Sequence, residues 1–98
     1  MPNLDQLQAF VAAAEQGSFS AASRRLGKAQ SAVSTAVINL EIEAGVVLFD
    51  RSSRKPQLTT AGRTLLEHAR SVLSSSQEFM AQAVSIAEGV EAQLCIAI

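Results

Sequence analysis

Several chemistries are excluded by what this 98-residue chain has little of. One cysteine, Cys95, cannot build an intramolecular disulfide framework, and that suits a reducing compartment. One histidine, His68, cannot supply a histidine metal cluster or a histidine-based proton relay; on a long helix beside Glu67 it reads as a surface or interface residue. There is no glycine-rich phosphate loop, no HExxH pair and no carboxylate pair with a credible pocket, so an enzyme is not expected, and no metal or cofactor site is expected in this stretch. No apolar run approaches membrane-spanning length, and no basic segment leads into an apolar one at the N-terminus. A cytoplasmic protein without membrane contact is the expectation. Cys95 itself lies in an apolar run and reads as a small hydrophobe rather than a nucleophile. Tryptophan and tyrosine are absent and phenylalanine occurs four times, while alanine is abundant. That balance favours helices packed closely through small side chains.

What is present fits one small folded domain. Hydrophobic residues make up 48% of the chain, too many for a disordered segment. The net charge of −1 conceals an uneven distribution. All eight basic residues (Arg24, Arg25, Lys28, Arg51, Arg54, Lys55, Arg63, Arg70) fall between residues 24 and 70, against four acidic ones there, so that segment carries +4 between acidic flanks. A nearly neutral total can therefore hide a basic face.

Periodicity and punctuation divide the chain further. Asn3 is placed to cap a first helix with Leu4, Leu7, Phe10, Val11 and Ala14 on one face, ending at Gly17. Ser18 or Ser20 then caps a short second helix carrying Phe19, Ala22 and Leu26, closed by Gly27. A third helix places Val33, Val37, Leu40 and Ala44 on its inner face and stops at Gly45. Two helices joined by a short glycine turn have the spacing of a helix-turn-helix unit. The stretch "VVLFDRSSRKPQLTT" changes character: Val46 to Phe49 is short and β-rich, and "SSRKP" is turn chemistry with Pro56 blocking helix. Two short strands, near residues 48–51 and 57–58, joined by a basic loop, make a wing.

Thr59 or Thr60 caps a long fourth helix expected over residues 61–88, with Gly62 in its first turn, where the propensity penalty is weak. Leu65, Ala69, Val72, Ser76, Phe79, Ala83 and Ile86 follow a 4-3 heptad rhythm, and Leu66, Leu73, Met80 and Ala87 run beside it. A three-helix head is too small to cover this stripe, so a second copy of the helix, or a further domain of the same chain, must bury the rest. The small residues at 69, 76 and 83 allow close approach. After Gly89, "QLCIAI" reads as the start of a β-strand.

The ordered motifs "LQAFVAAAEQGSFSAASRRL", "QSAVSTAVINLEIEAGVVLFDR" and "LTTAG" resemble the N-terminal DNA-binding region of LysR-type transcriptional regulators over residues 4 to about 88. The fold class implied is mainly α: a winged helix-turn-helix with a three-helix head and two-stranded wing, then a long dimerisation linker helix. The implied division is a DNA-binding head over 1–59, a linker helix over 60–88, and a hinge with the first strand of an effector domain over 89–98. The implied partners are double-stranded DNA, bound in the nucleoid at a dyad-symmetric promoter site, and a second copy of the chain pairing antiparallel through the linker. Full-length members add a small-molecule-sensing effector domain and often form tetramers; the chain accordingly reads as a DNA-binding fragment or truncated regulator without a cofactor of its own.

By the same resemblance, the third helix enters the major groove with Gln30, Ser31, Ser34, Thr35 and Ile38 nearest the bases. Glutamine can pair with adenine, hydroxyls serve either hydrogen-bonding role, and an apolar side chain can meet a thymine methyl. Gln30 and Ser34 match the family pattern. Ser31 stands where proline is common, Thr35 and Ile38 where arginine or lysine is frequent, and Ala29 where a capping Ser or Thr is usual, with Ser31 able to cap a later start. Phosphate contact falls to Lys28, to Arg51, Arg54 and Lys55 of the wing, and to Ser18, Ser20 and Ser23. Arg54 or Lys55 can also reach a narrow minor groove. Arg51 has an alternative in a carboxylate of the head, and Arg24 and Arg25 in plain solvation; Arg63 and Arg70 belong to the linker surface. Two other readings stay open: a winged helix used only for protein association, and another winged-helix family such as the molybdate-responsive regulators.

Overall fold

The computed structural model describes residues 2–97, with side chains described as far as residue 89. Four helices and one small sheet follow one another as α1 (Leu4–Gln16), α2 (Phe19–Leu26), α3 (Gln30–Ala44), β1 (Phe49–Asp50), β2 (Gln57–Leu58) and α4 (Thr60–Ala97).

Local chemistry fixes most of these limits. Asn3 accepts from the Gln6 backbone at 2.8 Å while the Gln6 side chain accepts from the Asn3 backbone at 3.0 Å, a reciprocal capping box. Ser18 caps α2 through the Ala21 N–H at 3.0 Å. Gly17, Gly27 and Gly45 end α1, α2 and α3 in the left-handed region at φ +78°, +67° and +74°, where a Cβ would be strained. At the start of α3 the expectation of a delayed cap fails. Gln30 opens the helix behind Ala29, which makes no side-chain cap, so Ser31 lies inside the first turn rather than capping it.

The core joins the three short helices to the wing and the first turns of α4. Phe10, Val33, Val37, Leu48 and Phe49 are fully enclosed, and Phe49 receives the edges or faces of Phe10 and Phe19 at centroid distances of 5.7 and 5.6 Å. Helix α1 contacts α2, α3 and α4 at once, so its buried surface wraps further round than a one-faced pattern implies: Ala9, Ala12 and Ala13 are enclosed, whereas Leu4 is exposed. Ala44 is likewise exposed, outside the core shared by Val33, Val37 and Leu40.

The wing is a minimal antiparallel ribbon pairing Phe49 with Leu58 and Asp50 with Gln57. Thr59 fastens it to α4. Its hydroxyl donates to the Val47 carbonyl at 2.6 Å and accepts from the Gly62 N–H at 2.9 Å, which makes Thr59 rather than Thr60 the cap. Gly62 is buried at this junction, and a Cβ there would collide with the Leu48 carbonyl oxygen. Close backbone approach requires that glycine, beyond any tolerance of the first helical turn.

Helix α4 continues to Ala97, past the expected end at residue 88, and residues 93–97 are helical rather than the start of a strand. Gly89 lies within the helix without positive φ and costs about 1 kcal/mol relative to alanine, too little to stop it. A strand also needs a partner for its backbone groups, and the one sheet among the described residues is the wing. Ile98, the last residue of that expected strand, lies outside the described residues. At 1.5 Å per residue the 38 residues of α4 extend about 57 Å, far beyond the head.

Candidate nucleic-acid interface

Helix α3 has a sharply divided surface. At 100° per residue, Ser31, Thr35, Ile38 and Ile42 fall within about 60° of one another, on the side opposite buried Val33, Val37 and Leu40. All four are exposed, Ile38 by 43% and Ile42 by 72%. Gln30 is exposed and Ser34 half-buried on the flank of this stripe. The structure thus brings Ser31, Thr35 and Ile38 together on one outward surface, with Ser34 beside it and Gln30 about 110° round from its centre, and adds Ile42. Its isoleucine identity signals core, and only the angular position on a helix anchored by Val33, Val37 and Leu40 reveals it as exposed.

Neither acidic residue of α3 interrupts this stripe. Glu41 turns inward and accepts from the backbone N–H groups of Leu48 and Phe49 at 2.7 and 3.2 Å. Its other oxygen pairs with the Arg51 guanidinium at 3.1 Å. One carboxylate thereby ties the end of α3 to β1 and sets the wing beside the helix. Glu43 is exposed, about 100° round from the centre of the stripe by helical geometry.

The basic residues divide into engaged and free. Arg51 is held by Glu41 and stands over the Phe19 ring, 5.6 Å from its centroid, so the alternative of a carboxylate partner in the head is the one realised. Its side chain is nevertheless 38% exposed. Arg25 pairs with Glu15 at 2.8 Å, and Arg70 bridges Glu15 and Glu67 at 3.4 and 3.1 Å. Arg24 donates to the Ser20 hydroxyl at 3.0 Å. Lys28 stands 3.6 Å from Asp5, a loose pair between exposed groups that solvent screens heavily. Arg54 and Lys55 are exposed at the tip of the wing and join no ion pair among the described residues. In the same turn, hydrogen bonds from the Ser52 hydroxyl and then its backbone N–H lower the Asp50 carboxyl below the usual carboxylate range.

The serines expected to reach phosphate separate in the same way. Ser18 is committed to its capping bond, though it and Ser20 remain half-buried at the start of α2. Ser23 is buried and donates to the Ser20 carbonyl at 2.7 Å, so it belongs to the packing of α2 and not to an outer surface. Along α4, Leu66 and Ala69 are also absorbed by the head, while Leu65, Leu73 and Ser76 are half-covered. Val72, Phe79, Met80, Ala83 and Ile86 stay exposed, Phe79 by 72%. Val72 and His68 border an apolar groove that continues between α1 and α3 past Leu7, Phe10 and Leu40.

Comparison with known proteins agrees with this geometry. A family model described as the bacterial regulatory helix-turn-helix protein, lysR family, matches residues 4–63. The HTH-type transcriptional regulator AceR of Acinetobacter baumannii is 41% identical over 98% of this chain, and ShiR of Corynebacterium glutamicum 47% identical over 85%. The matches cover 32% and 28% of those proteins, so the chain spans about a third of the length of the curated relatives it matches. Among solved structures, the CbnR DNA-binding domain in complex with DNA superposes with a TM-score of 0.81 at 36% identity, covering 87% of this chain and 98% of that one. The BenM DNA-binding domain on its catB site 1 DNA gives 0.82 at 34% identity, covering 87% and 96%. Oxidized OxyR of C. glutamicum gives 0.80 at 40% identity over 85% of this chain and 27% of that one.

Proposed function

The chain belongs to the LysR family of bacterial helix-turn-helix regulators, and from that premise we propose that it binds double-stranded DNA as a sequence-specific transcription regulator. The observation that carries this reading is the outward stripe of α3, free of charge, beside a wing whose Arg54 and Lys55 have no partner of their own among the described residues. Side chains short enough to reach base edges lie on the helix, and cations suited to phosphate lie around it. The DNA-bound structures that this chain resembles support the same pose.

The regulator acts as a dimer. The outer part of α4 exposes Val72, Phe79, Met80 and Ile86, and burying such side chains stabilises association by about 1.5–3 kcal/mol each. Two heads joined antiparallel through α4 present two α3 helices to a dyad-symmetric site. The cytoplasm is the compartment in which such a protein meets its DNA. Any small-molecule response would belong to an effector domain of the kind that the resemblance implies for full-length members.

Titration of duplex DNA at several salt concentrations tests the reading. Log affinity should fall linearly with log salt, with a slope set by the number of phosphates neutralised. Arg54→Ala should weaken all sequences alike and lower that slope by about one, whereas Ser34→Ala should change base preference more than total affinity. Absence of binding at low salt would leave only protein association through α4.

A further inference from the structure

The stripe on α3 changes chemistry along its length, from the hydroxyls of Ser31 and Thr35 to the bare hydrocarbon of Ile38 and Ile42. No lysine or arginine occurs from Ala29 to Gly45, so the bidentate cation contact that selects guanine has no donor on this helix. Glu41 is occupied by β1 and Arg51, so it cannot accept from a cytosine amino group. Base-edge chemistry on the helix is thus reduced to two amides (Gln30 and Asn39), three hydroxyls, the Glu43 carboxylate well off the stripe, and exposed hydrocarbon. In the major groove the one hydrocarbon feature of a base is the 5-methyl of thymine, or of 5-methylcytosine.

We propose that Ile38 is a specificity-determining residue that reads a pyrimidine 5-methyl group. The inference rests on the DNA-binding reading above and names the chemistry it uses. Ile38 lies two helical turns beyond Gln30 and one beyond Ser34, still within the span that a recognition helix lays along the groove, and its side chain is 43% exposed with nothing in the head to cover it further. An isoleucine in contact with a methyl group is indifferent to whether the ring carries O4 or an amino group. The same position therefore accepts thymine and 5-methylcytosine and disfavours uracil and unmodified cytosine. Methylation of cytosine at that base pair becomes a signal that the protein detects.

The test begins with a duplex selected from a randomised library by the wild-type chain. Each thymine of one half-site is replaced in turn by deoxyuridine, which removes the methyl group and leaves the hydrogen-bonding edge intact. Loss of one buried methyl corresponds to roughly a fourfold rise in Kd. The expected result is one such position per half-site, with the sensitivity absent in Ile38→Ala, whose circular dichroism should match the wild type because the side chain lies outside the core. At that position a 5-methylcytosine–guanine pair should bind about fourfold tighter than the unmethylated pair. A selected site that binds tightly yet tolerates deoxyuridine everywhere, or one whose sensitivity survives Ile38→Ala, overturns the methyl-reading role alone. A selection that enriches no duplex overturns the DNA-binding reading itself, and this inference with it.

Discussion

A methyl group added at Gly62 would meet the Leu48 carbonyl oxygen and the Leu58 side chain, so the usual gain on replacing a helical glycine with alanine is reversed there. Gly62→Ala should destabilise the head by about 1–3 kcal/mol in urea unfolding, the range for overpacking. Gly89→Ala, where open space surrounds the backbone, should be neutral or favour α4. Glu41 is the second residue whose role comes from its surroundings. Two backbone donors and one guanidinium depend on its carboxylate. Removing an acceptor from a buried donor costs about 1–3 kcal/mol. Glu41→Ala should accordingly lower stability by about 2 kcal/mol or more, and Glu41→Gln by less, since an amide oxygen still accepts. Equal losses in the two variants, measured by denaturant titration, would show that charge and not hydrogen bonding carries the link.

Helix α3 starts behind an alanine that caps nothing, although α1, α2 and α4 are each capped by a side chain. The Ala29 backbone already lies in the extended region typical of an N-cap. Ala29→Ser should therefore raise stability by about 1 kcal/mol, visible as a higher Tm in calorimetry. An unchanged Tm would mean that the first turn of α3 finds its partners elsewhere. The wing is the other element whose integrity is borrowed. A ladder of two residues per strand has little stability of its own, and it is held by Phe49 in the core, Glu41 on one side and Thr59 on the other. Its tip carries Arg54 and Lys55 out from a fixed base.

At the scale of the molecule, α4 serves two surfaces. Leu66 and Ala69 complete the head, and Val72, Phe79, Met80 and Ile86 further out stay exposed among the described residues. An aspartate at position 72 would place a charge in the middle of the paired face. Val72→Asp should give monomers in sedimentation or sizing experiments while the head keeps its circular dichroism. Dimers that persist in this variant would shift the pairing surface away from α4. The acidic flanks, and the pairing of Arg25 and Arg70 with Glu15, leave Arg54 and Lys55 on the wing and Arg63 in the first turn of α4 exposed without an ion pair among the described residues. A chain of net charge −1 thus keeps a local positive feature beside α3.

The limits of α1 and α2, the stops at Gly17, Gly27 and Gly45, the turn chemistry of the wing and the apolar stripe of α4 were legible in the sequence because each depends on residues close together in the chain. The periodicity of Val33, Val37 and Leu40 by itself assigned Ser31, Ser34, Thr35 and Ile38 to the outer side of α3. Contacts between distant segments were not legible in that way. The inward turn of Glu41, the engagement of Arg51, the burial of Ser23 and the steric need for Gly62 all arise where separate elements meet. The extent of α4 was not legible for a related reason: an apolar run such as residues 93–98 suits either helix or strand, and strand pairing needs a partner that local sequence cannot supply. Sequence alone determined the short-range elements of this protein and the apolar periodicities along them. Tertiary structure decided which charges are spent inside the head and which remain on its surface, because ion pairs and close backbone contacts form only after the chain has brought remote residues together.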